Sequence, residues 1–202
     1  FVCSTGAEAV ESAVKLARLA KRRSQIVAAK GAFHGYTLGA LSLSGIPSQS
    51  RAYRPLLPDI QHIPFGDVEA LEAAVSNETA AVLLEPFQAE IGAETPPVGY
   101  LTAARNLCDQ YGALLIIDEV RTGIGRTGPL FAVEQENIVP DIIVLGKSLS
   151  GGIVPIGSIV ARPNIWGRFG LSFSMSASSF AGNRLACVSA LATLEAINDE
   201  NI

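Results

Sequence analysis

A lysine and an aspartate each leave the end of an apolar run in this chain. Lys147 lies in LGKSLSGG, directly after Asp141-Ile142-Ile143-Val144-Leu145, and Asp118 follows Ala113-Leu114-Leu115-Ile116-Ile117. An amine emerging from a buried strand can condense with an aldehyde to form a Schiff base. A carboxylate in the same setting can pair with a ring nitrogen and keep it protonated, so that the ring draws electrons. Those two functions are what pyridoxal 5'-phosphate chemistry asks of a protein. Glu85 closes a third run, Ala80-Ala81-Val82-Leu83-Leu84. One charged strand end is most often a solvated surface group; three such ends give the chemical reading its weight.

The elements that must position these groups alternate along the chain. Apolar residues at helical spacing predict a helix over 6–22, and Ile26-Val27-Ala28-Ala29 reads as a short buried strand. Further helices are expected over 67–76, 100–111, 131–136 and 183–198. Strands are expected over 80–84, 113–117, 141–145 and 156–161. Strands that are apolar throughout, alternating with helices, imply an α/β fold: a mostly parallel central sheet with helices on both faces. Ligands collect at the carboxyl ends of such strands, where Glu85, Asp118 and Lys147 all fall. Ser4-Thr5-Gly6-Ala7-Glu8 opens the first helix with hydroxyls and small residues beside unpaired backbone amides, which suits a phosphate group as well as ordinary capping.

Composition narrows the classes. The chain has 202 residues, 49% hydrophobic and 17% charged, enough to bury the core of one domain or most of one. A net charge of -4 gives no electrostatic reason to expect nucleic acid or an anionic membrane as partner. Cys3, Cys108 and Cys187 are odd in number and widely spaced, which suits free thiols in the cytoplasm. With His34 and His62 the only histidines, no histidine-rich metal site is expected. No apolar run approaches the roughly 18 residues of a membrane span. The opening Phe1-Val2-Cys3-Ser4, without initiator methionine or basic flank, reads as part of a longer chain.

The segments STGAEAVESAVKLAR, GAFHGYTLGALS, EPFQAEIGAETPPVGYL, LLIIDEVRTGIGRTG, IIVLGKSLSGGIVPIGSIVAR and SSFAGNRLAC occur in that order. Together they closely resemble the class III pyridoxal-phosphate aminotransferases, a group that includes the ornithine, acetylornithine, 4-aminobutyrate and putrescine enzymes within fold type I. The resemblance runs over essentially the whole chain and matches the cofactor-binding large domain, residues 1–202, without the family's N-terminal segment and C-terminal small domain.

The resemblance implies a role for each matching position. Lys147 would carry the Schiff base and shuttle the proton, and Asp118 would hold the pyridinium nitrogen. Phe33 and Val120 would press on the two ring faces. Gly6 and Ala7 would offer amides to the phosphate, with Thr5 close by. Ser179 stands where the family usually has a threonine that reaches the phosphate of the partner subunit's cofactor, so a homodimer with an interfacial site is implied. Glu85 would order the site. Glu90 matches a glutamate that in some members acts as a gate, pairing with an arginine of the small domain until a dicarboxylate substrate displaces it; that arginine has no counterpart here, and an exposed loop carboxylate is the equal alternative. The family pattern DEVQTG reads DEVRTG in this chain, and Arg121 in place of glutamine could serve the cofactor's phenolic oxygen, bind an anionic substrate group, or turn outward. Ser176 and Ser179 replace histidine and threonine. His34 has no acid–base partner nearby in sequence, which favours an orienting or structural role. The implied activity transfers an amino group between a primary amine or ω-amino acid and a keto acid or aldehyde. An aminomutase, racemase or decarboxylase of the same family, and a non-catalytic fragment or scaffold, stay open alongside it.

Overall fold

Thr5 starts the first helix. Its backbone is extended (φ -146°) and its Oγ1 accepts from the Glu8 amide at 3.2 Å, while Glu8 Oε2 accepts from the Ser4 amide at 2.7 Å. This reciprocal capping satisfies two amides that the first turn leaves free. The helix, α1 (Gly6–Lys21), ends at Arg22, which adopts the left-handed conformation with φ 56°. Its Ala9, Val10, Ala13, Leu16 and Ala17 are buried against the sheet.

In the computed structural model, which describes residues 1–167 and 178–200, the strands are β1 (Val2–Cys3), β2 (Gln25–Ala29), β3 (Ile60–Ile63), β4 (Thr79–Leu84), β5 (Leu114–Asp118), β6 (Ile142–Leu145) and β7 (Gly157–Ala161). The other helices are α2 (Leu38–Leu43), α3 (Pro47–Ser50), α4 (Val68–Ala74), α5 (Tyr100–Tyr111) and α6 (Arg184–Glu200). Ala132–Glu136 and Lys147–Ser150 form single 3₁₀ turns. All seven strands join one sheet in the order β1-β7-β6-β5-β4-β2-β3, parallel except where β7 runs against β6 and β1.

Alternate side chains of the central strands face opposite layers, as the two-residue period of a strand requires. Ala81, Leu83 and Ile116 pack with α1, whereas Val82, Leu84, Leu115 and Ile117 pack with Leu71 of α4 and Leu101, Ala104 and Cys108 of α5. Coverage on both faces is why β4 and β5 are buried at every position. A smaller apolar cluster, with Leu145, Leu149 and Ile156, lies beneath Ala186 and Ala190 of α6.

The topology decides where the reactive residues meet. β2, β4, β5 and β6 are parallel, so their carboxyl ends lie on one edge. β7 is antiparallel and pairs Ser158 with Leu145 and Gly157 with Cys3, which brings the end of β1 to that same edge. The turn Ser4-Thr5 and the start of α1 therefore arrive beside the ends of the parallel strands. Gly157 makes that approach possible: a Cβ there would lie 2.0 Å from the Thr5 carbonyl oxygen and 3.0 Å from Cys3 Sγ.

The sequence reading missed β1, β3, α2 and α3. β1 has only two residues, and β3 carries the polar Gln61 and His62 on an edge strand that needs just one buried face. The antiparallel direction of β7 was also not anticipated. No helix among the described residues is long and apolar enough to cross a membrane.

Candidate active site

Asp118 is the last residue of β5 and is 4% exposed. Its Oδ1 accepts from the Val120 amide at 3.0 Å, and its Oδ2 lies 2.7 Å from Nδ1 of His34, with both side chains buried. A carboxylate can only accept, so Nδ1 donates, and Nε2 is left buried without a partner. The acid–base partner that the local sequence withheld from His34 thus comes from 84 residues away, and it is Asp118 itself. His34 orients and backs that carboxylate.

The loop after β2 carries His34 into place because two other elements pin it. The Phe33 amide donates to Glu85 Oε2 at 3.0 Å, and the His34 amide donates to Ser44 Oγ at 3.0 Å. Gly35, which sequence reasoning did not select, lines the same space. It has φ +126°, and a Cβ there would come within 2.7 Å of Ala7 Cβ, so only glycine lets the loop touch α1. The glycine ending GAFHG was the available signal.

Lys147 follows β6 after one residue. Gly146 is extended and sits tightly against Gly6 and Val120, where an added Cβ would meet Gly6 Cα and Val120 Cγ1 at 3.4 Å. Lys147 then takes φ 45°. This left-handed backbone is disfavoured for a side chain with a Cβ and accumulates at functional positions. It begins the 3₁₀ turn on which α6 packs.

These groups surround one cavity of about 160 Å³. Gly6, Ala7, Phe33, His34 and Glu85 line it with Asp118, Val120, Arg121 and Lys147. Thr5 stays at the cap of α1. Arg121 does not turn outward: its guanidinium stands 5.7 Å from the Phe33 ring centroid and pairs with Glu90. Glu90 is therefore not a free loop carboxylate. Ser179 is exposed in the turn before α6, and its neighbour Ser178 reaches Ser4 Oγ at 3.2 Å, which ties that turn to the start of α1. Arg126 is exposed on the turn after β5. Ser176 lies outside the described residues. Among the described residues, no three His, Cys, Asp or Glu side chains converge as a metal site.

The charges are strongly coupled. Burial pulls the His34 imidazole down, but the hydrogen bond and charge of Asp118, with the charge of Glu85, outweigh it and hold the ring above its ordinary value. Burial pulls the Lys147 amine below its ordinary value and Arg121 adds to the shift, against the opposing pull of Asp118 and Glu90. Burial pushes the Glu85 carboxyl up to about 7, with His34 opposing.

The Glu85 shift has a stability consequence. A folded-state value raised above the unfolded one means that Glu85's contribution is complete below about pH 4.5 and is lost as pH rises through about 7. Glu85→Gln, which keeps an acceptor for the Phe33 amide, should match wild type at low pH and gain on it by about 3 kcal/mol by roughly pH 8. Urea unfolding of both proteins at the two ends of that range checks this; a pH-independent difference would show that folding leaves the titration of the carboxyl unshifted.

The geometry can be set against known proteins. The family description of class III aminotransferases matches residues 1–202. An ornithine aminotransferase from Toxoplasma gondii superposes with a TM-score of 0.93 at 37% identity, over 99% of this chain and 49% of that one. An (S)-enantioselective omega-transaminase from Thermomicrobium roseum gives 0.91 at 33% identity, over 99% and 51%. A transaminase from the marine bacterium Virgibacillus gives 0.89 at 29% identity, over 100% and 50%. The chain spans about half the length of each of these solved relatives.

Proposed function

Because this chain belongs to the class III aminotransferases, we propose that it forms the cofactor-binding large domain of an enzyme that transfers an amino group between a primary amine or ω-amino acid and a keto acid or aldehyde. The observation that carries this reading is that Lys147 and the His34-backed Asp118 face a single cavity at the carboxyl edge of the sheet. The reading is supported further by the relatives that superpose, which are transaminases.

The residues present fit pyridoxal phosphate. Gly6 and Ala7 open α1, where the first amides have no intrahelical acceptor and the helix dipole favours an anion. Phe33 and Val120 give apolar walls for a flat ring, and Asp118 gives a buried carboxylate for a ring nitrogen. When bound, this cofactor supplies an aldehyde that condenses with amines and a ring that withdraws electrons from the carbon beside the amine nitrogen.

The protein's part is to hold and to move protons. Asp118 has one oxygen fixed by the Val120 amide and the other by His34 Nδ1, so it would meet a ring nitrogen in a preset orientation. The depressed Lys147 amine is more readily unprotonated, the state in which Nζ can act as nucleophile or take a proton. Ser179, exposed beside the start of α1, is read as reaching toward a second subunit of a homodimer. A cytoplasmic setting is supported by three free cysteines, with Cys3 and Cys108 buried. An aminomutase, racemase or decarboxylase would use the same residues, and no observation favours one; intact Lys147, Asp118 and Phe33 weigh against a scaffold.

The protein mixed with pyridoxal phosphate should acquire a visible absorption band, and borohydride should fix the cofactor to Lys147 as located by mass mapping. An ω-amino acid should bleach the band and release the matching aldehyde. Carbon dioxide release or an unchanged carbon skeleton with a shifted amine would instead identify one of the alternatives, and no band at all would overturn the reading.

A further inference from the structure

The loop after β2 has a cavity on its other side. Ser44, which accepts from the His34 amide, also faces a space of about 300 Å³ that shares no lining residue with the cavity around Lys147. Lys30, Ser42, Ser50, Arg54 and His62 line it with Ser44, and among the described residues no Asp or Glu does. It lies between the end of β2, the edge strand β3 and the segment that joins α2 to β3.

The walls are fixed without using the cations. The Gly31 amide donates to the Gly45 carbonyl at 3.0 Å and the Gly45 amide to the Ala32 carbonyl at 2.9 Å, which ties the loop after β2 to the end of α2. The Leu57 amide donates to Ser42 Oγ at 3.0 Å. His62 Nε2 lies 3.1 Å from the Leu43 carbonyl oxygen and donates to it, since a carbonyl can only accept. The side chains of Lys30 and Arg54, by contrast, make no hydrogen bond or ion pair among the described residues. Ser50 is 6% exposed, and its hydroxyl is equally unpartnered there. A hydroxyl this buried has little water to bond, so an acceptor entering the cavity would satisfy it. Two unpaired cations facing one space also draw in an anion. Burial holds the His62 imidazole below its ordinary value, and the charges of His34 and Lys30 add to this against the hydrogen bond to Leu43, so the Lys30 charge is felt at this ring.

We propose that this cavity is a phosphate site, in which Lys30 and Arg54 neutralise the dianion and the Ser50 hydroxyl donates to one of its oxygens. A neighbouring cavity of about 560 Å³ shares Arg54 and His62 with it and adds the apolar Pro55, Leu57 and Ile60, which gives room for the organic part of a phosphomonoester. The inference stands apart from the proposed function, because it uses no residue that lines the Lys147 cavity.

NMR of the imidazole rings tests it, because His34 and His62 are the only histidines and each lines a different cavity. Inorganic phosphate, titrated into protein already saturated with pyridoxal phosphate, should shift the His62 resonances saturably with a Kd at or below about 1 mM, and those of His34 less. Lys30→Gln and Arg54→Gln should each weaken binding by at least about tenfold, and Ser50→Ala by about three- to tenfold, as for hydrogen bonds to a charged group. Lys30 and Arg54 are exposed and unpaired, so their variants should unfold at the same urea concentration as wild type. Tighter binding of glycerol 2-phosphate than of inorganic phosphate would identify a monoester as the ligand, and equal or weaker binding would identify free phosphate. Absence of saturation below about 10 mM, or unchanged affinity in Lys30→Gln and Arg54→Gln, would overturn the site. So would a loss in those two variants with Ser50→Ala unaffected, which is attraction to exposed charge alone. A larger response at His34 than at His62 would put the anion at the start of α1 and overturn it as well. Failure to take up pyridoxal phosphate would count against the proposed function instead, and the His62 response still reads this cavity.

Discussion

Lys147→Ala should abolish the visible absorption that wild type gains with pyridoxal phosphate and lower turnover by at least about 10⁴-fold, the upper range for one proton-transfer group. The expected loss is large because the proposed function asks one Nζ to do two jobs, covalent attachment and proton transfer. It should not come from unfolding. Lys147 is exposed, and alanine at φ 45° meets the same backbone strain that the lysine already bears, so stability should stay within roughly 0.5 kcal/mol. A small primary amine added to the variant should restore part of the rate, since the cavity walls that would receive it are unchanged. Turnover within about tenfold of wild type, or a persisting band that borohydride fixes to another residue, would remove Lys147 from its assigned role.

The residues that make Lys147 and Asp118 meet were unevenly legible in the sequence. Both lie one or two residues beyond an all-apolar run, and burial of such runs on both faces forces a parallel arrangement whose ends share an edge. That physics is local and periodic, so Glu85, Asp118 and Lys147 could be placed from strand ends alone. His34 could not. Its partner is 84 residues away, and nothing in the order of residues says that the loop after β2 folds over the end of β5. The same limit hid the pairing of Arg121 with Glu90 across 31 residues. The two-residue β1 was equally silent, although its antiparallel pairing with β7 is what brings Gly6 and Ala7 to the site. Motif resemblance named those positions, but the sheet order explains why a helix start near the chain's beginning can serve a lysine at position 147.

Asp118→Asn is the sharper test of how the site handles charge, because it changes one atom and keeps the volume. The remaining Oδ1 can still accept from the Val120 amide, so the turn after β5 should hold. What disappears is the negative charge beside the buried imidazole, which the proposed function assigns to a ring nitrogen. The new amide donates toward Nδ1, so His34 must carry its proton on Nε2, the atom already buried without an acceptor. Without Asp118's bond and charge, burial governs His34 and its titration should move from above the ordinary range to below it. The sign is specific: wild-type His34 stays protonated to higher pH than a free imidazole, and the variant loses its proton earlier, as NMR titration of the ring would show. Turnover should fall about a thousandfold, comparable to removing one preorganised electrostatic contact at a reacting centre. Affinity for the cofactor's phosphate end, which the proposed function assigns to the amides of Gly6 and Ala7, should change by less than about tenfold. His34→Gln should cost turnover much less on its own and add little to Asp118→Asn, since the histidine acts only through the carboxylate it orients. If the two losses multiply, His34 has a contact of its own with the reacting atoms.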